Sequence, residues 1–201
     1  MVDKLYSLLE TSSNLKGSFI HPVSKNDIDL IFTGGEPLLK RNQHSISLIV
    51  KEMISKNKYP RWVTIETNGT QLLEPAMQFL ISDMDKLNFF FSVSPKLFTV
   101  SGETNKDAIC PIVVNQYNTL SEHGQLKFVV SDEPRVWEEL TSVVKQFRDA
   151  GVNYPAIVMP VGGTLEGITA VQTNVANLAL EHGYYFTTRL QNILWGNGMG
   201  V

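Results

Sequence analysis

Ile31-Phe32-Thr33-Gly34-Gly35-Glu36-Pro37-Leu38-Leu39 is the stretch whose reading decides the fold. Ile28 to Phe32 reads as an apolar strand running into a paired-glycine turn. A helix is expected to open at Pro37, where proline suits the first helical position because that N–H needs no partner. Two glycines permit positive φ and let a ligand approach the backbone with no Cβ in the way. Glu36 stands at the mouth of the turn as an acceptor for a cationic group. The combination describes a strand-end site for a small ligand that carries an amine.

Composition sets the outer limits. At 201 residues and 43% hydrophobic, the chain can bury one sizeable core, and a single domain over residues 1–201 is expected. A net charge of −3, with the 17 Lys and Arg scattered, argues against a basic nucleic-acid surface. No apolar run approaches the roughly 20 residues of a spanning helix, and no secretory signal opens the chain. The single cysteine, Cys110, excludes an internal disulfide and a multi-cysteine metal site within these residues. A soluble, cytoplasmic protein is expected, with neither nucleic acid nor membrane as partner.

Working outward from the glycine turn, helical and strand patterns alternate. Leu5, Leu8, Leu9 and Leu15 predict a helix over 2–15, and Ile46, Leu48, Ile49, Met53 and Ile54 stripe a second over 38–57. The Trp62–Glu66 strand, an Asn68-Gly69 turn and a short helix over 72–82 follow. Phe89 to Val93 is too uniformly apolar for a half-exposed strand and reads as a buried parallel one. Residues 97–123 are polar and weakly periodic, an expected insertion with a helix over 111–122. Strand 126–130, helix 134–150, strand 156–159, helix 165–182 and strand 184–189 complete the pattern. Such alternation implies βα units and a parallel sheet. Polar residues gather at the C-terminal strand ends, where barrels and open α/β sheets place their ligands. The expected fold class is α/β, a parallel (β/α) barrel or part of one.

Each motif also has a purely structural reading. Gly34-Gly35-Glu36-Pro37 serves equally as a tight turn before a helix, and Asn68-Gly69 as a turn in which Asn68 favours left-handed φ. Ser94-Pro95-Lys96 serves as a strand terminator with a solvated lysine. His21, His44, His123 and His182 lack metal-ligand spacing and read as surface residues. Cys110 precedes Pro111 with no charged neighbour to lower its pKa, which makes it a bystander. Trp62 and Trp137 suit packing, and the Trp195–Val201 tail, with three glycines, reads as a shaped loop.

Taken jointly, the motifs carry a resemblance. Thr33-Gly34-Gly35-Glu36-Pro37-Leu38-Leu39, Glu66-Thr67-Asn68-Gly69-Thr70, Ser94-Pro95-Lys96, Lys127-Phe128-Val129-Val130, Arg189-Leu190-Gln191 and Leu194-Trp195-Gly196-Asn197 occur in this order. Over residues 28–201 the chain resembles the 7-carboxy-7-deazaguanine synthase branch of the radical S-adenosylmethionine family. The first motif is shared with the activating enzymes of glycyl-radical proteins, which stand as the alternative.

The resemblance implies a lyase of queuosine-precursor biosynthesis. It would cleave S-adenosylmethionine reductively at a 4Fe-4S cluster and, with magnesium, contract 6-carboxy-5,6,7,8-tetrahydropterin to 7-carboxy-7-deazaguanine with loss of ammonia. It assigns Gly34, Gly35 and Glu36 to the methionyl group, and Ser94, Pro95 and Lys96 to the rest of the adenosylmethionine. Thr33, Glu66, Gln191 and the chain end at Val201 fall to the pterin pocket, and a homodimer is implied. The departure from the pattern is large. The family's cluster is held by three cysteines spaced C-x3-C-x2-C, and Fe–S clusters need thiolates. Only Cys110 is present. The residues before 28 have room for a helix but not also for a cluster loop and an opening strand. The sequence is therefore expected to be truncated, to be one half of a split enzyme whose other chain carries the cluster, or to be a cluster-less binding module. In each case no catalysis is expected of this chain alone. Its first strand is expected to have an edge covered by residues 16–27 or by a second copy.

Overall fold

The computed structural model describes residues 2–82 and 87–196. Along the chain run α1 (Val2–Leu9), β1 (Leu30–Phe32), α2 (Lys40–Ser55), β2 (Trp62–Thr67), α3 (Pro75–Ser82) and β3 (Asn88–Val93). Three short helices follow, α4 (Phe98–Ser101), α5 (Asn105–Ala108) and α6 (Pro111–Leu120). The chain continues through β4 (Gly124–Val130), α7 (Pro134–Asp149), β5 (Ala156–Pro160), α8 (Leu165–His182), β6 (Tyr185–Phe186) and α9 (Leu190–Trp195).

The six strands form one sheet in sequential order, β1-β2-β3-β4-β5-β6. The β1–β2, β4–β5 and β5–β6 pairs are parallel. Parallel neighbours need a crossover, here helical, to bring the chain back to the same end. The fold is α/β, with the strand succession of a partial (β/α) barrel. No described helix is long and apolar enough to cross a membrane.

The chain divides into two compact units. The first comprises Met1–Thr67, Gln71–Phe91 and Thr119–His123. In it β2 alternates strictly, with Val63, Ile65 and Thr67 buried and Trp62, Thr64 and Glu66 half-buried on the other face. Val2 and Tyr6 of α1 pack with Phe19 and Met53, flanked by Ile28, Leu30 and Ile49. The second unit comprises Asn68–Thr70, Ser92–Asn118 and Gly124–Val201. There β4 buries Gly124, Leu126, Phe128 and Val130. Helix α7 buries Val136, Trp137, Leu140, Val143 and Phe147 along one face, the stripe expected of a surface helix. Gly124 is required by packing, since a Cβ there would sit 2.5 Å from the Tyr154 ring.

Several boundaries differ from expectation, for local reasons. Helix α1 stops at Leu9 rather than 15. The buried Asn14 amide donates to the carbonyls of Leu9 and Ser18 and accepts from the Ser18 N–H, closing a turn where the helix would continue. Helix α2 starts at Lys40 rather than Pro37, because Glu36 gathers Pro37–Leu39 into a turn: its carboxylate accepts from the Leu38 N–H and its carbonyl from Leu39. The 97–123 insertion holds three helices instead of one. The last strand contracts from 184–189 to Tyr185–Phe186 and is followed by α9, while the loop expected over 195–201 lies largely outside the described residues. Before β1 the chain folds back, with a bridge between Ile20 and Asp27 and the Ile28 N–H donating to Phe19. That contact precedes the strand, and Ile31 remains 53% exposed.

One buried side chain locks this first unit. Gln43, 1% exposed, donates from Nε2 to the carbonyls of Leu38 (2.6 Å) and Leu72 (2.8 Å). Its Oε1 accepts from the Glu74 N–H at 2.7 Å. Gln43→Leu keeps the bulk but strips three backbone groups of their partner. It is expected to destabilise the fold by about 2–4 kcal/mol, read as a lowered denaturant midpoint at unchanged slope.

Candidate functional site

In the first unit the site grows from strand register. Phe32 pairs with Ile65, which brings the next residues, Thr33 and Glu66, side by side at the C-terminal strand ends. The Thr33 hydroxyl donates to Glu66 Oε2 at 2.7 Å. The chain then turns through Gly34 (φ 86) and Gly35 (φ 55), left-handed values that glycine adopts without strain. A Cβ built on either would meet nothing within 4 Å. The turn's backbone therefore faces open space, as a cradle for a ligand must.

Glu36 fastens this cradle. Its Oε1 accepts from the Leu38 N–H and from the Thr67 hydroxyl, both at 2.8 Å. Its carbonyl accepts from Asn42 Nδ2 at 2.9 Å. The carboxylate thus ties the turn to the end of β2 and starts the approach to α2. Thr33, Gly34, Gly35, Glu36 and Glu66 are brought together as the motif order implied. Thr67, within the quoted motif but given no task from sequence, proves to be the anchor.

In the second unit the Asn68–Thr70 segment has the structural role. Asn68 Oδ1 accepts from both the N–H and the hydroxyl of Thr70. A Cβ at Gly69 (φ 81) would lie 2.6 Å from Val93. Ser94 and Lys96 are half-buried around a buried Pro95, directly after β3. The adjoining Phe98 and Thr99 are held by Glu139 of α7, a residue with no signal in its own sequence neighbourhood. Gln191 lies exposed on α9, next to Asn192, whose Nδ2 donates to the Gly163 carbonyl at 3.3 Å. Val201 lies outside the described residues.

The donors suit a zwitterionic, amine-bearing cofactor: open glycine backbone, a carboxylate at the turn, and a hydroxyl–carboxylate pair beside it. They do not suit an iron–sulfur cluster. Burial, helped by the charge of Asp107, pushes the Cys110 thiol up, away from the thiolate that iron requires. Among the described residues no group of three or more His, Cys, Asp or Glu is placed to hold a metal. His123 meets the edge of Trp62, and His182 stacks on Trp137, so both imidazoles are packing partners.

No protein-family model matches the chain. Two curated relatives do, each a 7-carboxy-7-deazaguanine synthase. That of Halobacterium salinarum is 30% identical over 190 residues, covering 84% of this chain and 65% of the relative. That of Rhodopirellula baltica is 28% identical over 177 residues, covering 86% and 63%. The chain therefore spans a little under two thirds of the length of either. Among solved structures, two of Streptococcus suis SuiB, one of them bound to S-adenosylmethionine, superpose with a TM-score of 0.50 at 13% identity. That match covers 83% of this chain and 40% of SuiB and is a likeness of fold alone.

Because the glycine positions meet no neighbour, their replacement is penalised by backbone conformation only. Gly34→Ala or Gly35→Ala is expected to lower the unfolding free energy by about 1–2 kcal/mol each. Thr67→Val removes the Thr67 hydroxyl as a donor to Glu36 Oε1. Faster hydrogen exchange at the Leu38 amide is the expected readout.

Proposed function

We propose that the chain is a member of the radical S-adenosylmethionine family and forms the adenosylmethionine- and pterin-binding part of a 7-carboxy-7-deazaguanine synthase, a reading supported by its likeness to the two curated synthases. The observation that carries this reading is the open glycine turn, fastened through Glu36 to Thr67 and flanked by the Thr33–Glu66 pair. Gly34 and Gly35 would offer backbone groups to the methionyl end, with Glu36 keeping their turn in shape and completing the charge balance at the amine. Ser94, Pro95 and Lys96 would hold the remainder of the adenosylmethionine. Thr33 and Glu66 would hydrogen-bond the polar edges of the pterin.

The reaction assigned to the complete enzyme is ring contraction of 6-carboxy-5,6,7,8-tetrahydropterin, which loses ammonia to give 7-carboxy-7-deazaguanine. Bound adenosylmethionine supplies the hydrogen-abstracting adenosyl group. Its cleavage needs a reducing cluster for which these 201 residues offer one thiol. No step is assigned to Cys110, and magnesium is given no ligand among the described residues. Turnover by this chain alone is not expected.

The same observation about Cys110 favours a second reading, a cluster-less module that binds adenosylmethionine or the pterin without chemistry. Calorimetry on this chain tests what the two readings share: saturable binding of either compound, weakened by Gly35→Val, is expected, and no heat from either would reject both. Iron and sulfide analysis, with an adenosylmethionine cleavage assay under reducing conditions, tests the predicted inactivity. A stoichiometric cluster in this chain alone would overturn that prediction.

A further inference from the structure

We infer that Glu139 of α7 is the positioning residue for the Ser94-Pro95-Lys96 loop, an inference that rests on that loop contacting adenosylmethionine. The loop leaves β3 after Val93, which is fully buried, and enters α4 through the buried Leu97. Helix α4 is only 4 residues long. A helix that short is not stable on its own, and its first N–H groups have no partner within it. The residue at its N-cap position is Leu97, which makes no side-chain capping bond. The Leu97 carbonyl is held locally, by the Val100 and Ser101 N–H groups and the Ser101 hydroxyl, but the Phe98 and Thr99 N–H groups take their acceptor from outside the helix.

Glu139 supplies what is missing from 40 residues away along the chain. Its Oε1 accepts from the Phe98 N–H at 2.8 Å. Its Oε2 accepts from the Thr99 N–H at 2.9 Å and from the Thr99 hydroxyl at 2.6 Å. Bonds to an ionised acceptor are the strong kind. The carboxylate sits on a helix whose neighbouring Val136, Trp137, Leu140 and Val143 are buried, so the anchor itself is rigid. Burial alone would raise the Glu139 pKa. Hydrogen bonds from Thr99, Phe98 and the Asn105 side chain outweigh that and hold it below the ordinary carboxylate value, which keeps the clamp charged.

Between Val93 and Phe98 the loop is therefore fixed at both ends, and only Ser94 and Lys96 within it remain half-exposed. Freed at the Phe98 end, it would have to be ordered by the ligand, at the ligand's expense in affinity. Glu139 touches no ligand in this scheme; it acts through Lys96 and Ser94. A residue that merely stabilised the domain would lower stability without its effect depending on Lys96.

The test uses the whole chain, adenosylmethionine as probe in calorimetry, and amide exchange at Phe98 and Thr99. Glu139→Gln is expected to speed exchange at both amides and weaken adenosylmethionine binding about five- to tenfold. In a Lys96→Ala background the same change is expected to cost less than about twofold, the non-additivity of residues that act as one. Thr99→Val, which removes only the hydroxyl's bond, is expected to give a milder loss and keeps the inference testable should Glu139→Gln fail to fold. Unaltered affinity in Glu139→Gln, or losses that simply multiply in the double variant, would overturn the inference while leaving the loop's ligand contact intact. A wild-type chain that binds no adenosylmethionine would instead remove the underlying reading, and the inference with it.

Discussion

The carboxylate of Glu36 is the constraint on which the candidate site depends. A turn through two left-handed glycines has no side chains with which to hold itself, so its shape must be imposed from outside. Glu36 does this by accepting the Leu38 N–H and the Thr67 hydroxyl on one oxygen. The first contact closes the turn after the glycines, and the second pins it to the last residue of β2. Thr33, bonded to Glu66, makes a second tie between the same two strand ends. The open backbone of Gly34 and Gly35 is what remains between these ties.

A common design emerges in each unit. Polar side chains replace backbone partners where regular structure ends, and they do so next to the segments that the resemblance assigns to ligand. Gln43 serves the Leu38, Leu72 and Glu74 backbone in the first unit. Glu139 serves Phe98 and Thr99 in the second. Each is a long, flexible side chain whose flexibility is removed by burial or by multiple bonds. Buried backbone groups left unpaired are costly, so a loop that must stay open toward a ligand is closed at its back by such residues.

The iron–sulfur chemistry implied by the family contrasts with the residues at hand. Cys110 is shifted by burial and by Asp107 toward the neutral thiol, His21 is engaged in a turn, and His123 and His182 in packing. The glycine turn proposed to cradle adenosylmethionine lies within these 201 residues, which hold a single cysteine. Relatives of greater length carry the name of the complete activity.

By itself, the amino-acid order determined the alternation of strands and helices, the parallel α/β class, and the strand-end motifs. Those properties follow from period-two and helical hydrophobic patterns and from local backbone preferences, all short in range. Helix α8 over 165–182 and strand β2 were legible for that reason. Where a helix begins was not. Pro37 satisfies every local rule for a helix start, yet α2 opens at Lys40 because a carboxylate and a threonine 31 positions apart meet. Asn14, which closes α1, is local but depends on its amide being buried. The parts played by Thr67, Gln43 and Glu139 were set only by tertiary structure, since a hydrogen bond between distant residues leaves no periodicity in the chain. Sequence identified the double-glycine turn, and the fold decided what holds it open.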